Sequence, residues 1–163
     1  MINELTISIR PIYPDEVVPS MELVWRVFSE FEAPEYSEEG VAEFKAFIEP
    51  AFMKDKMKYD GFRLWGAYEH DRLIGVIAIK PPLHITLLFV DKDYHRQGIA
   101  KRLFQTVIEN EELVGNSEIM TVNSSRYAVE VYSHLGFKTT GSEQIVHGLR
   151  FTPMEYALKR NRP

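Results

Sequence analysis

From Lys92 to Arg102 the chain reads Lys-Asp-Tyr-His-Arg-Gln-Gly-Ile-Ala-Lys-Arg. Four of these residues are Lys or Arg and one is Asp, a local formal charge of +3 on a chain of net −5, so the remainder carries −8. The apolar run His84–Val90 precedes this segment, and Gly98 and Ala100 open an apolar-periodic run behind it. That pattern predicts a buried strand, a short polar loop and a helix whose first turn leaves its backbone accessible. The first four N–H groups of a helix have no partner inside it, and the helix dipole adds about half a positive charge there. The chemistry that suits such a place is binding of a phosphorylated ligand. The same residues also describe a solvated basic helix start, because short glycine motifs are weak signals.

Other chemistries find little support. Neither G-x-G-x-x-G nor G-x-x-x-x-G-K-[ST] occurs, so no dinucleotide fingerprint or P-loop is present. With no cysteine in the chain, disulfides, thiolate metal sites and a Cys nucleophile are excluded. The histidines at 70, 84, 95, 134 and 147 show no metal-ligand spacing, so no metal is expected. A net acidic chain with pI ≈ 5.6 is a poor partner for nucleic acid or an anionic membrane. No apolar run approaches the ~18 residues of a membrane helix, and the first ten residues lack a signal peptide's pattern. The expectation is a cytoplasmic protein with one domain over residues 1–163.

The elements that must position the basic loop follow from periodicity. Leu5, Ile7 and Ile9 alternate with polar residues as a first strand, ended by Pro11 and Pro14. Met21, Val24, Trp25 and Phe28 predict a helix over at least Ser20–Phe31. Ser37 caps a second helix, with Glu38 and Glu39 in its first turn and Pro50 bending or ending it. Phe62–Glu69 and Leu73–Lys80 form a hairpin about His70-Asp71-Arg72, and His84–Val90 is the next strand. A helix over Gly98–Asn110, a strand over Glu118–Val122 and a helix over Ser125–Leu135 follow, the last closed by Gly136. Its inward face is Ala128, Val131, Tyr132 and Leu135. Phe137–Glu143 and Met154–Leu158 are the final strands, joined by a long segment containing His147-Gly148. The order gives a mixed α+β sheet domain, without the strict alternation of a doubly wound fold.

Two segments together carry a family resemblance. His95-Arg96-Gln97-Gly98-Ile99-Ala100 matches [Q/R]-x-x-G-x-[G/A] opening a helix, with His95 in place of Gln or Arg. Val131-Tyr132-Ser133-His134-Leu135-Gly136-Phe137 matches F-Y-x-x-x-G-F, with Val131 in place of Phe, after a strand that ends near Asn123. In these motifs and their order the chain resembles the GNAT superfamily, the Gcn5-related N-acetyltransferases, over about residues 5–158. The resemblance implies a mostly antiparallel sheet of about 6–7 strands flanked by about 4 helices and splayed at an acetyl-CoA slot.

It also implies roles. Leu88, Phe89 and Val90 would hold the pantetheine arm by their backbone. His95, Arg96, Gln97, Gly98, Ile99, Ala100 and Lys101 would hold the pyrophosphate, and Asn123 the arm or an ordered water. Tyr132 would stand beside the coenzyme sulfur. A phenol near pKa ~10 is a poor full donor to a thiolate near ~8.5, so its part would be a hydrogen bond to the departing sulfur. His84, placed on one strand face with Thr86, Leu88 and Val90, would be the base, directly or through water. Its other reading is strand-end packing near Pro81-Pro82. Glu30–Glu43 contains six glutamates and no Lys or Arg, so Glu32, Glu35 and Tyr36 would meet a cationic acceptor, or form a solvated cap. Ser142–Pro153, with His147 and Arg150, is a second possible wall, or an exposed loop.

The expected activity is transfer of an acetyl group from acetyl-CoA to a primary amine, by direct attack in a ternary complex. The acceptor would be a small molecule or peptide, and the protein a monomer or homodimer. The rival is a non-catalytic acyl-CoA-binding module.

Overall fold

The structure is a computed structural model that describes residues 6–159. Leu5, expected to begin the first strand, lies outside the described residues. The elements are β1 (Ile7–Ile12), α1 (Val17–Phe31), α2 (Glu38–Phe47), α3 (Pro50–Tyr59), β2 (Arg63–Glu69), β3 (Arg72–Lys80) and β4 (His84–Val90). Then come α4 (Ile99–Ile108), α5 (Glu111–Val114), β5 (Ile119–Ser124), α6 (Val129–Leu135), β6 (Lys138–Thr139), β7 (Gln144–Val146) and β8 (Leu149–Ala157). The strands lie in the order β1-β2-β3-β4-β5-β8-β6, and β7 pairs with the start of β8. Every pairing is antiparallel except β4 with β5.

The sheet buries both faces. Val17, Met21, Val24 and Phe28 place one stripe of α1 against Val76, Ala78, Leu87 and Phe89. Ile99, Leu103, Phe104 and Val107 of α4 pack on the opposite face, with Ile77, Ile79, Ile85 and Met120. Helical and strand periodicities thus meet in two apolar layers around one sheet.

Several boundaries differ from the sequence reading. β1 runs through Pro11, which an edge strand tolerates because its outer N–H needs no partner. Pro50 begins the separate helix α3 at its first position, where a missing N–H costs nothing. That helix carries four charged residues and buries only Met53, so periodicity could not find it. Residues 125–128 form a turn before α6, in which Ser125 Oγ accepts from Ala128 N. Val131 is 40% exposed rather than inward. The last strand starts at Leu149 rather than Met154, and Pro153 pairs with Asn123 inside it. The expected long connection is instead the tight turn His147-Gly148, with φ of 51° and 78°.

β4 is the element that shapes the site. It pairs with β5 at His84↔Thr121 and Ile85↔Val122, and the two strands then separate. On its other side Ala78 faces Leu87 while Ile79 faces Ile85, so Thr86 is an extra residue. Such a bulge shifts the alternation by one. Leu88 packs with the α4 layer, whereas Lys80↔His84 lies a register step beyond Ile79↔Ile85 and falls on the α1–α2 side. His84 therefore does not share a face with Leu88 and Val90.

Candidate active site

The separation of β4 and β5 exposes a strand edge. Asp91 N–H donates to Ile74 O on β3, so by alternation the N–H groups of Leu88 and Val90 point to the open side. The Val90 carbonyl also faces that side, where His95 Nε2 reaches it at 2.7 Å. A carbonyl only accepts, so Nε2 carries the proton. His95 thus ties the loop to the strand end, and Phe31 lies against its ring at 5.0 Å between centroids.

Asp91 anchors the other end of the loop. Its buried carboxylate lies 3.0 Å from Arg26 Nη2 and 3.6 Å from Arg72 Nη2, and it accepts from Asp93 N–H at 3.0 Å. Gly98 has φ 77° at the N-cap of α4, and a Cβ there would meet no atom within 4 Å. The backbone at the helix start is therefore open. Only part of the local positive charge faces this opening. Arg96 and Lys101 line it, whereas Lys92 pairs with Glu30 at 3.1 Å and Arg102 donates to Ile7 O.

Two connected hollows meet in the splay. The first, about 520 Å³, holds the exposed helix start and the β4 edge: Leu88–Val90, His95, Arg96 and Gly98–Lys101. Gln97 is exposed beside it and donates its side-chain amide to Asp93 O. Tyr127, Glu130, Val131 and His134 from the α6 region form the far wall. The second hollow, about 330 Å³, lies between α1–α2 and the β7–β8 hairpin, with His84, Asn123, Tyr36, His147 and Arg150 in its lining. Glu32, Leu88, Phe89, Ala128 and Tyr132 border both. Asn123 lines only the second hollow, away from the helix start.

The groups at the junction are perturbed. Burial pushes the half-buried Glu32 carboxyl up to about 7, helped by Glu35 and opposed by a hydrogen bond from Ser125. Burial, and then the Glu32 charge, pushes the Tyr132 hydroxyl far above the ordinary phenol range. Tyr132 therefore stays protonated and can only donate or share a hydrogen bond. Tyr36 is raised for the same reasons, with Glu35 and Glu143 adding to the effect. Burial, then Lys80, lowers the pKa of His84, and its Nδ1 lies 2.8 Å from Thr121 Oγ1. That leaves its Nε2 as the free ring nitrogen of a neutral imidazole near pH 7.

With this geometry in view, the comparisons decide the family. The Acetyltransferase (GNAT) domain family matches residues 32–158. The chain belongs to the GNAT acetyltransferase family. It is 32% identical to human N-acetyltransferase 8 over 99 residues, 54% of this chain and 44% of that protein, so it spans less than half of that relative's length. A GCN5-related N-acetyltransferase from Rhodopseudomonas palustris shares the fold at TM-score 0.79 and 24% identity, over 97% of this chain and 99% of that one. The PaiA N-acetyltransferase of Thermoplasma acidophilum, solved with coenzyme A, does so at TM-score 0.75 and 18% identity, over 93% and 98%. The splayed, mostly antiparallel sheet is thus a GNAT sheet, with six α-helices and eight strands among the described residues.

Sequence reasoning about this GNAT chain missed Tyr127, Glu130 and His134. A residue i, i+3, i+7 stripe on the α6 region was available as a signal. It missed the depth of Glu32 altogether, since six glutamates in a row of fourteen residues read as surface. Among the described residues no helix is long and apolar enough to cross a membrane.

Proposed function

We propose that this GNAT protein is an acetyl-CoA-dependent N-acetyltransferase acting on a primary amine. One observation carries the reading: an open helix start with a strand edge and an acceptor-sized hollow converge on Tyr132 and Glu32. The first hollow suits the coenzyme. The Gly98–Lys101 backbone would take its diphosphate, with Arg96 and Lys101 at the rim, and the free N–H groups of Leu88 and Val90 would take its arm. Asn123 would act on the acceptor side, holding a water or the substrate.

Bound there, acetyl-CoA would supply a thioester. Of the Leu88 and Val90 N–H groups, that of Leu88, which borders both hollows, is the donor placed to polarise its carbonyl. The amine nitrogen forms a bond to the carbonyl carbon as the C–S bond breaks. One ammonium proton goes to a base, and the second leaves with the sulfur as the thiol. Tyr132 donates a hydrogen bond to that sulfur. With its pKa raised, full proton donation would be still more uphill than for a free phenol.

Two groups suit the base. His84 lines the acceptor hollow and would act through water from its Nε2. Glu32 is favoured by position, because it borders both hollows where nitrogen must meet carbonyl. The absence of cysteine supports direct transfer and a cytoplasmic address. We place the protein there as a monomer or homodimer, without nucleic-acid or membrane partners.

The test is release of free CoA from acetyl-CoA with a panel of primary amines. Turnover is expected, and Tyr132→Phe should lower kcat by about ten- to a hundredfold while leaving CoA affinity within about twofold. Acetyl-CoA binding without turnover of any amine would favour the sensing module instead.

A further inference from the structure

The sequence suggests an acidic acceptor wall, but folding disperses it. Glu30 turns away to Lys92. Glu35 and Glu43 are exposed, and Glu38 and Glu39 sit in the exposed first turn of α2. Of these six glutamates only Glu32 borders the acceptor hollow.

The opposite rim carries basic side chains. His147 and Arg150 of the β7–β8 hairpin line it. Arg126 grips Glu143 through two bonds of 2.7 and 2.8 Å, and Arg150 Nε lies 3.8 Å from the same carboxylate. Glu143 thus serves two guanidinium groups, and Glu35 acts on Arg126 as well, so the acids of this rim are already matched by Arg126 and Arg150. Between rim and Glu32 the walls are rings: Phe28, Tyr36, Phe44, Phe47, Phe89 and Phe151. Phe28 stacks on Phe44 with centroids 3.9 Å apart and on Tyr36 at 5.6 Å.

We propose that the acceptor is a small primary monoamine on an aromatic or branched apolar body, with its ammonium at Glu32 and its body against these rings. The inference rests on the acetyltransferase reading above. A single ammonium at Glu32 is paired, and the surrounding aromatic faces attract it further. A second ammonium on the same molecule would reach either the rings, where no acid compensates its lost hydration, or a rim whose acids are already engaged by Arg126 and Arg150. A hollow of about 330 Å³ is at the small end of ligand sites, which suits one ring system better than an oligosaccharide.

The experiment compares CoA release with phenethylamine, tryptamine and isoamylamine against putrescine, spermidine and kanamycin, with acetyl-CoA binding followed by calorimetry. The apolar monoamines should show kcat/KM at least about tenfold above the polycations. Val146 is 48% exposed on the hairpin and lines the hollow, so Val146→Glu should leave the fold intact. It should move the putrescine-to-phenethylamine ratio toward putrescine by about tenfold, by adding an acid to the rim. Equal or better use of polycations overturns the proposal, as does a ratio that Val146→Glu leaves unchanged. If acetyl-CoA gives no heat, the acetyltransferase reading falls and this proposal with it. If acetyl-CoA binds and other primary amines release CoA while neither of these sets does, only the acceptor class falls.

Discussion

Glu32 concentrates the chemistry at the scale of single residues. Its carboxyl is held near 7 chiefly by burial, so near neutral pH it divides between a proton-accepting and a proton-bearing form. If it takes the ammonium proton, kcat/KM should rise with pH through a limb near 7. Glu32→Gln should remove that limb and lower the rate at pH 8 by about a hundredfold, which a pH–rate profile reads. The same group fixes a stability trend. A carboxyl whose pKa is raised on folding binds more protons in the native than in the unfolded state between its two pKa values. Its contribution therefore weakens as pH rises from about 4.5 to about 7 and is level above that. Melting curves should show wild type losing ground to Glu32→Gln across that window. Tyr132 was legible from its place in a motif. Glu32 was legible as a candidate acceptor contact but not as a buried acid, because Ser125 and Tyr132, which lie beside it at the end of α1, come from roughly a hundred positions later in the chain.

The basic strand–loop–helix was the most readable element. Its signal is local: an apolar strand, a glycine at the cap and an apolar stripe after it. Gly98 holds a left-handed conformation with open space where a side chain would project. Gly98→Glu should strain the backbone and place a carboxylate where the diphosphate would bind, so CoA affinity should fall by at least about a hundredfold in calorimetry. The bulge at Thr86, the helix α3 and the β7–β8 hairpin were not readable. A bulge is set by the partner strand, α3 buries too little to show a stripe, and the hairpin is defined by what it touches. Its tip lies against the start of α2, where a Cβ on Gly40 would overlap the Gly148 carbonyl. Alanine in place of glycine ordinarily steadies a helix by roughly 0.5–1 kcal/mol. Gly40→Ala should do the opposite, because backbone on the hairpin must move. A loss of about 1–3 kcal/mol in thermal melts, with weaker amine KM and unchanged CoA affinity, is the expected result.

Across the whole molecule, charge and topology divide the labour. The chain carries net −5, while Arg96 and Lys101 mark a helix start that the strand splay leaves open. Fold class and the strands up to β5 were legible because they follow from motif order and period. The acceptor face was not, since α1, α2 and the last hairpin build it from distant parts of the chain. The central claim is that a coenzyme lies across the splay with its sulfur at the junction of the two hollows. A crystal structure of the protein with coenzyme A tests this most directly. The diphosphate should lie on the amides of residues 98–101 with the sulfur within hydrogen-bonding reach of the Tyr132 hydroxyl; a coenzyme bound elsewhere, or a sulfur pointing away from Tyr132 and Glu32, overturns this placement.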